Sequence, residues 1–288
     1  MKKRSRYPFI VLSYLAVFFL IYLLLDTDKV ALLNPQGMIA EKQKALLIHA
    51  TWLMLIVVIP VFVLTFVVAW KYRADNKKAT YAPDWDYNFL VECVWWGVPS
   101  VIIVFLAIIT CVSSYELDPF KALDSKKKPL TIQVVALQWK WLFIYPEQKI
   151  ATINYVQFPE KTPIHFMITG DAPMNSFWIP QLGGQVYAMN GMKTQLHLIA
   201  DTLGSYNGSS ANLSGKGFAG MKFVATSLSD EGFDAWVQNM KDSPNELTLA
   251  EYKEVAKPSE NNKAASYVLE KEDLFDWIVM KFMMPGME

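Results

Sequence analysis

The stretch Leu130-Thr131-Ile132-Gln133-Val134-Val135-Ala136 is followed by Trp139-Lys140-Trp141-Leu142-Phe143-Ile144-Tyr145 and then by Ala151-Thr152-Ile153-Asn154-Tyr155-Val156. β-Branched and aromatic residues dominate these short runs, which suits a pleated, half-buried surface and predicts three strands. Turn-forming residues punctuate the chain here, at Pro146-Glu147-Gln148 and at Phe158-Pro159-Glu160-Lys161-Thr162-Pro163. Further strands are predicted at Ile164 to Thr169, Gln195 to Ala200 and Gly220 to Thr226. Strands recurring at this spacing imply an antiparallel sandwich or barrel of about one hundred residues, placed at 129–228.

Upstream the character changes. Residues Tyr7 to Leu25 carry no charge and follow Lys2, Lys3, Arg4 and Arg6, a basic segment ahead of an apolar one. Residues 1–28 are therefore read as a signal peptide or a retained signal-anchor helix. The length suits a span, and no small-x-small cleavage site or lipoprotein cysteine follows Leu25, which favours retention. Ala45 to Trp70 and Phe89 to Tyr115 are two further apolar runs, interrupted by His49, by Pro60 and by Glu92 near a helix start, and they predict a transmembrane hairpin over 38–118. Lys71, Arg73, Lys77 and Lys78 crowd the short loop between them, so the positive-inside rule puts that loop in the cytoplasm and everything after residue 115 outside. Glu92 reads as an interfacial carboxylate favoured by the helix dipole. Cys93 and Cys111 both fall in the third apolar run and read as small hydrophobes rather than a disulfide framework.

Downstream, 229–288 reads as an aromatic-rich helical extension. Acidic residues at Asp230 and Glu231 precede Phe233, Trp236, Val237 and Met240 at helical spacing, and two more helices are predicted at Thr248 to Val255 and Asp273 to Met284. The 288-residue chain is 53% hydrophobic, with 27 basic and 27 acidic side chains. Part of it belongs in lipid, and a net charge of zero gives no field for a nucleic-acid partner. No Ser-His-Asp, phosphate-loop or paired-carboxylate pattern marks an enzyme in its own right.

Asn175-Ser176-Phe177-Trp178-Ile179-Pro180-Gln181-Leu182-Gly183, with Gly191 and then Gly204-Ser205-Tyr206-Asn207-Gly208, resembles the cupredoxin domain of haem-copper oxidase subunit II. Trp95 and Pro99 in the hairpin and the Trp139-x-Trp141 strand agree with it, and the likeness runs from Met38 to the end. The resemblance implies a membrane-anchored α+β chain: transmembrane helices, a cupredoxin-like antiparallel β sandwich or barrel, and a short helical C-terminal extension. In family members that oxidise cytochrome c, a His-Ser segment and a Cys-x-Glu-x-Cys-x-x-x-His-x-x-Met loop hold two copper ions. Those positions fall here on Asn175, Ser210, Asn212, Ser214, Phe218 and Met221. Only the methionine remains, and hydroxyls, amides and a phenyl ring do not replace thiolates and imidazoles for copper.

Several ligands absent together, with the Gly and Pro framework in register, resemble the quinol-oxidising branch, in the manner of cytochrome bo-type ubiquinol oxidases. What the resemblance implies is a structural and assembly subunit with no metal, cofactor or catalytic residue of its own. It would sit in a proton-translocating quinol:oxygen oxidoreductase of a bacterial inner membrane, with its C-terminal domain on the periplasmic side. Its partners would be a haem-bearing subunit I that holds the haems and copper, other small membrane subunits, and lipid, with quinol reaching the complex from the membrane. A copper-carrying cytochrome c oxidase subunit is the alternative. His49, His165 and His197 read as structural or interfacial, and Met189, Met192 and Met221 as packing material.

Overall fold

The computed structural model describes residue 15, residues 30–80 and residues 82–284. The expected first apolar helix, Tyr7 to Leu25, lies outside the described residues apart from Leu15. Helices α1 (Met38–Lys71) and α2 (Phe89–Glu116) form the hairpin. At 1.5 Å per residue their 34 and 28 residues exceed the ~30 Å hydrocarbon thickness of a bilayer. Pro60 and Pro99 lie inside the helices without ending them, and the Asn88 side chain caps α2 by accepting the Val91 N–H. Among the described residues almost nothing on either helix is buried, Trp95 and Trp96 included, and the exposed apolar surface is of the kind that suits lipid or another helix. Cys93 and Cys111 are exposed on the same surface.

Beyond α2 come β1 (Leu130–Leu137), β2 (Lys140–Tyr145), β3 (Ile150–Ile153), β4 (Tyr155–Pro159), β5 (Ile164–Gly170), β6 (Asn175–Trp178), β7 (Val186–Ala188), β8 (Thr194–Leu198), β9 (Gly204–Ser210) and β10 (Lys222–Leu228). The tail supplies α3 (Asp230–Lys241), β11 (Glu246–Leu247), α4 (Leu249–Val255), β12 (Ala265–Leu269) and α5 (Leu274–Met283). Two sheets face each other, ordered β11-β12-β3-β2-β1-β5-β8 and β4-β10-β9-β6-β7. Most pairs are antiparallel as expected, but β1–β5, β4–β10 and β11–β12 run parallel, so the sheets are mixed.

Three particulars depart from the sequence reading. The strand expected at Ala151 to Val156 is two strands in different sheets, because Asn154 takes the left-handed conformation (φ 59°) and turns a corner between them. Asparagine tolerates that region better than other side chains, and here its neighbours hold it there: Asn154 Oδ1 accepts the Trp141 N–H at 2.9 Å and Asn154 N donates to the Trp141 carbonyl at 2.9 Å. The strand expected from Gly220 starts at Lys222, after a 3-10 turn at Phe218–Gly220. The tail, expected to be helical, also adds β11 and β12 to the larger sheet, with β12 pairing antiparallel to β3.

That last addition explains β2. Every residue from Lys140 to Tyr145 is buried, where a sheet with one wet face would alternate. Trp141, Phe143 and Tyr145 point between the sheets, into a core with Phe166, Phe177, Phe223 and, from α3, Phe233 and Val237. Leu142 and Ile144 point the other way, into a second core made with Leu247, Tyr252, Leu274, Phe275 and Ile278 of the tail.

The hairpin meets the sandwich at the start of α1. Gln36 N donates to Gln181 O (2.8 Å), Ala40 N to Leu182 O (3.2 Å) and Asp201 N to Gln36 O (2.9 Å). Asp201 also accepts the Met38 N–H, a donor the helix cannot satisfy itself, while burial and the nearby Glu41 push its carboxyl above the ordinary aspartate value. Gly37 makes this approach possible: a Cβ there would stand 2.2 Å from the Ile199 carbonyl oxygen. Gly37→Ala is expected to destabilise the joint by about 1–3 kcal/mol, the range for overpacking against atoms that cannot move. Hydrogen exchange should show the Ala40 and Asp201 amides losing protection while β1 and β2 keep theirs; wild-type protection at the joint would refute the assignment.

Candidate functional site

Of the six positions picked out by sequence, Asn175, Ser210, Asn212 and Met221 are joined by hydrogen bonds at one end of the smaller sheet, and Ser214 and Phe218 lie on the loop between β9 and β10. Asn175 opens β6, Ser210 closes β9, and the chain from Ala211 to Met221 links β9 to β10 over the same edge. Asn175 is 1% exposed and Ser210 6%, which obliges their polar atoms to find partners. The Ser210 hydroxyl donates to Asn175 Oδ1 at 3.0 Å, with the Asn212 carbonyl 3.2 Å away, and accepts the Ser176 N–H. Asn175 Nδ2 donates to Pro173 O (2.7 Å) and Asn212 Nδ2 to Met174 O (2.8 Å). The Ser210 N–H donates to the Met221 carbonyl (3.1 Å), and the Met221 side chain is fully buried in the inter-sheet core. Ser214 contributes its carbonyl, which accepts Trp139 Nε1–H at 3.2 Å; its hydroxyl has no partner among the described residues. Phe218 stands half-buried in the 3-10 turn.

These groups do not fit a copper pair. The donors that would have to bind metal are two hydroxyls, two amides and a phenyl ring, and the amides and Ser210 are already engaged with one another or with backbone carbonyls. A soft, thiolate-seeking ion would find one thioether, turned into the core. What the arrangement does chemically is fasten a loop to a strand.

Trp139 and Trp141, which sequence places in one strand, are separated by the structure. Trp141 lies in the core, edge-on to Phe177 and Phe223 at 5.4 and 5.8 Å between centroids. Trp139 has left the strand (φ 67°) and lies over the loop: a Cβ on Gly217 would stand 2.4 Å from its indole. Lys140, between them, was overlooked. It is 4% exposed and donates to the Lys257 carbonyl and to Ser259 of the tail. A lysine flanked by two tryptophans inside a strand is the signal that could have found it.

His49 is exposed on α1, whereas His165 and His197 meet in an arrangement that sequence did not show. His165 on β5 and His197 on β8 are register partners, and their rings stack at 4.5 Å with 2° between planes. Both the His197 N–H and its ring Nδ1 lie 3.1 Å from the Pro119 carbonyl, which can only accept, so Nδ1 carries a hydrogen. His165 Nε2 meets Gln195 Oε1 at 3.1 Å. Burial first, then the neighbouring His197, hold His165 below the ordinary histidine value of 6.5. The unfolded chain therefore takes up this proton first as pH falls, so stability is fully present above about 6.5, declines below it and levels off beneath the folded-state value. Denaturant midpoints at pH 7.5 and 5.5 should show that decline, and His165→Gln should reduce it; an unchanged slope in the variant would contradict the assignment.

Residues 147–228 match the family model described as "Cytochrome C oxidase subunit II, periplasmic domain", and residues 241–286 match "COX Aromatic Rich Motif". Over 281 residues the chain is 53% identical to cytochrome bo(3) ubiquinol oxidase subunit 2 of Pseudomonas putida, covering 97% of this chain and 88% of that protein. Over 263 residues it is 48% identical to ubiquinol oxidase subunit 2 of Acetobacter aceti, covering 90% and 85%. Among solved structures, the periplasmic domain of subunit II of cytochrome oxidase from Bradyrhizobium japonicum aligns at 23% identity and a TM-score of 0.40, covering 42% of this chain and 97% of that one. Two membrane-type helices, a β sandwich and the matched periplasmic model define the class, the second subunits of cytochrome oxidases. Within that class the chain belongs to the ubiquinol oxidase subunit 2 family.

Proposed function

We propose that this chain is the non-catalytic second subunit of a proton-translocating quinol:oxygen oxidoreductase, and that it carries no copper. The hydrogen-bonded Asn175–Ser210 pair carries this reading, because it fills with mutually satisfied polar groups the place where a copper relay needs free thiolates and imidazoles. Quinol is soluble in the bilayer and can deliver its electrons within a membrane-embedded partner, so an external relay has no task. The names of the relatives, ubiquinol oxidase subunit 2, support the same donor.

The haems and copper that reduce oxygen then belong to a large partner subunit, against which the uncovered faces of α1 and α2 would pack beside other small membrane subunits and lipid. Lys71, Arg73, Lys77 and Lys78 set the helix-connecting loop on the cytoplasmic side and the sandwich on the outer side of a bacterial inner membrane. The test is to isolate the full chain in mild detergent and measure metal, visible spectrum and oxygen uptake. A co-isolated haem protein, quinol-dependent oxygen uptake and no copper absorption from this subunit are expected. Stoichiometric copper with thiolate-type absorption in this subunit, or uptake driven by cytochrome c alone, would overturn the reading.

A further inference from the structure

The loop from Ala211 to Met221 has one 3-10 turn and no strand, yet it lies in a fixed place between two neighbours. On one side stand β6 and the turn before it, joined to the loop through Asn175 and Met174. On the other side stands a segment of the tail, Lys257 to Asn262, between α4 and β12. Lys216 of the loop pairs with Glu260 at 3.3 Å. Asn261 takes φ 54° and brings its Oδ1 so close to Gly220 that a Cβ there would stand 2.8 Å from it. The middle of the loop rests on Trp139, through Gly217 and the Trp139 Nε1–Ser214 O hydrogen bond.

The tail segment is itself pinned from below. Lys140 Nζ donates to the Lys257 carbonyl (2.9 Å) and to the Ser259 hydroxyl, Asn154 Nδ2 donates to the Asn262 carbonyl (3.1 Å), and Ser259 and Asn262 bond each other at 2.9 Å. Lys140 is a buried residue with no carboxylate paired to it among the described residues, and burial lowers its proton affinity. Both hydrogen bonds of its ammonium group go to the tail segment. Lys140 opens the interior strand β2 and Asn154 forms the β3–β4 corner bonded to Trp141, so both anchor points belong to the sheet framework.

We propose that Lys257–Asn262 is a strap that holds the Trp139 turn and the 211–221 loop together. Its role is to do by hydrogen bonds and close packing what a metal joining positions 175, 210, 214, 218 and 221 would do by coordination. The comparison with a metal rests on the copper-free reading; the strap itself rests on the contacts of Lys140, Asn154, Lys216 and Asn261. Copper content tests the first and leaves the second untouched.

Hydrogen exchange on the full chain in its detergent-purified complex reads the strap directly. Lys140→Met should speed exchange of the 257–262 amides and, at least ten-fold, that of 211–221, with β1 and β5 unchanged. Gly220→Ala drives a methyl group into Asn261 and should free the same two segments; Asn261→Gly in that background removes the obstruction and should restore protection of 211–221. If 257–262 exchanges faster while 211–221 keeps its original rate, the strap is a passenger and the proposal fails. Should Lys140→Met loosen β1 and β5 as well, the Gly220→Ala and Asn261→Gly pair decides: failure of the first to loosen the loop, or of the second to restore it, refutes the strap.

Discussion

Phe177→Ala is expected to destabilise the β domain by about 3–5 kcal/mol, the range for emptying a buried phenyl site that cannot collapse. Phe177 is wholly buried and meets four other rings: Trp141 at 5.4 Å, Phe143 at 6.1 Å, and Phe166 and Phe223 at 5.1 Å between centroids. Those partners come from β2, β5 and β10, so the ring ties the two sheets together, and Trp141, Phe143 and Phe223 also hold one another. Gly208 shows how little room is left: a Cβ there would lie 2.1 Å from the Phe223 ring. Phe177→Leu keeps most of the volume and should cost roughly half as much or less. Denaturant unfolding of the full chain in detergent, followed by tryptophan emission, measures both. Loss below about 1 kcal/mol for Phe177→Ala would show that the sheets are not held together there.

Lys281→Met should cost about 3 kcal/mol, whereas Asp276→Asn should cost under about 1 kcal/mol, although each removes one ion pair. The difference lies in what is left behind. Lys281 Nζ sits 2.9 and 3.1 Å from the oxygens of Asp171, whose side chain is 5% exposed and also accepts the Tyr252 hydroxyl. Removing the lysine strands a buried carboxylate. Asp276, paired with Lys193 at the surface, is 59% exposed and its loss is made good by water. The pairing joins α5 and α4 to the end of β5, so Lys281→Met should also raise proteolysis within α5. Equal effects from the two variants would refute this reading of the tail.

Much of this arrangement is legible in the residues alone. The hairpin can be read because lipid forces long, uncharged runs, and the strands Leu130–Leu137 and Ile164–Gly170 because their composition admits little else. The pairing of β1 with β5 in parallel cannot, since both strands look alike in either direction. Asn154 is the instructive miss. An asparagine inside an apolar run is a breaker signal, and giving it that weight would have divided β3 from β4. β7 escaped because three residues are too short a run to read, β6 because it opens on Asn175-Ser176, and β9 because Gly, Ser and Asn fill it; Gly204-Ser205-Tyr206-Asn207-Gly208-Ser209-Ser210 is a strand held by its neighbours rather than by its own preference. The six site positions were found by register with a family pattern, and the structure links four of them, Asn175, Ser210, Asn212 and Met221, through hydrogen bonds. The Lys140–Lys257 and Asp171–Lys281 contacts were out of reach, because each joins residues more than a hundred positions apart.

The two-sided burial of β2 bears on how such chains can be divided. Family models draw borders at residues 228 and 241, yet Val135, Leu137, Leu142 and Ile144 share a core with Leu247, Tyr252, Leu274, Phe275 and Ile278 from beyond those borders. A fragment ending at 228 would present a bare aliphatic sheet face and leave β3 as an unpaired edge, a surface prone to self-association. The recognisable modules of this protein are units of descent; its unit of folding runs through the sandwich and the tail together.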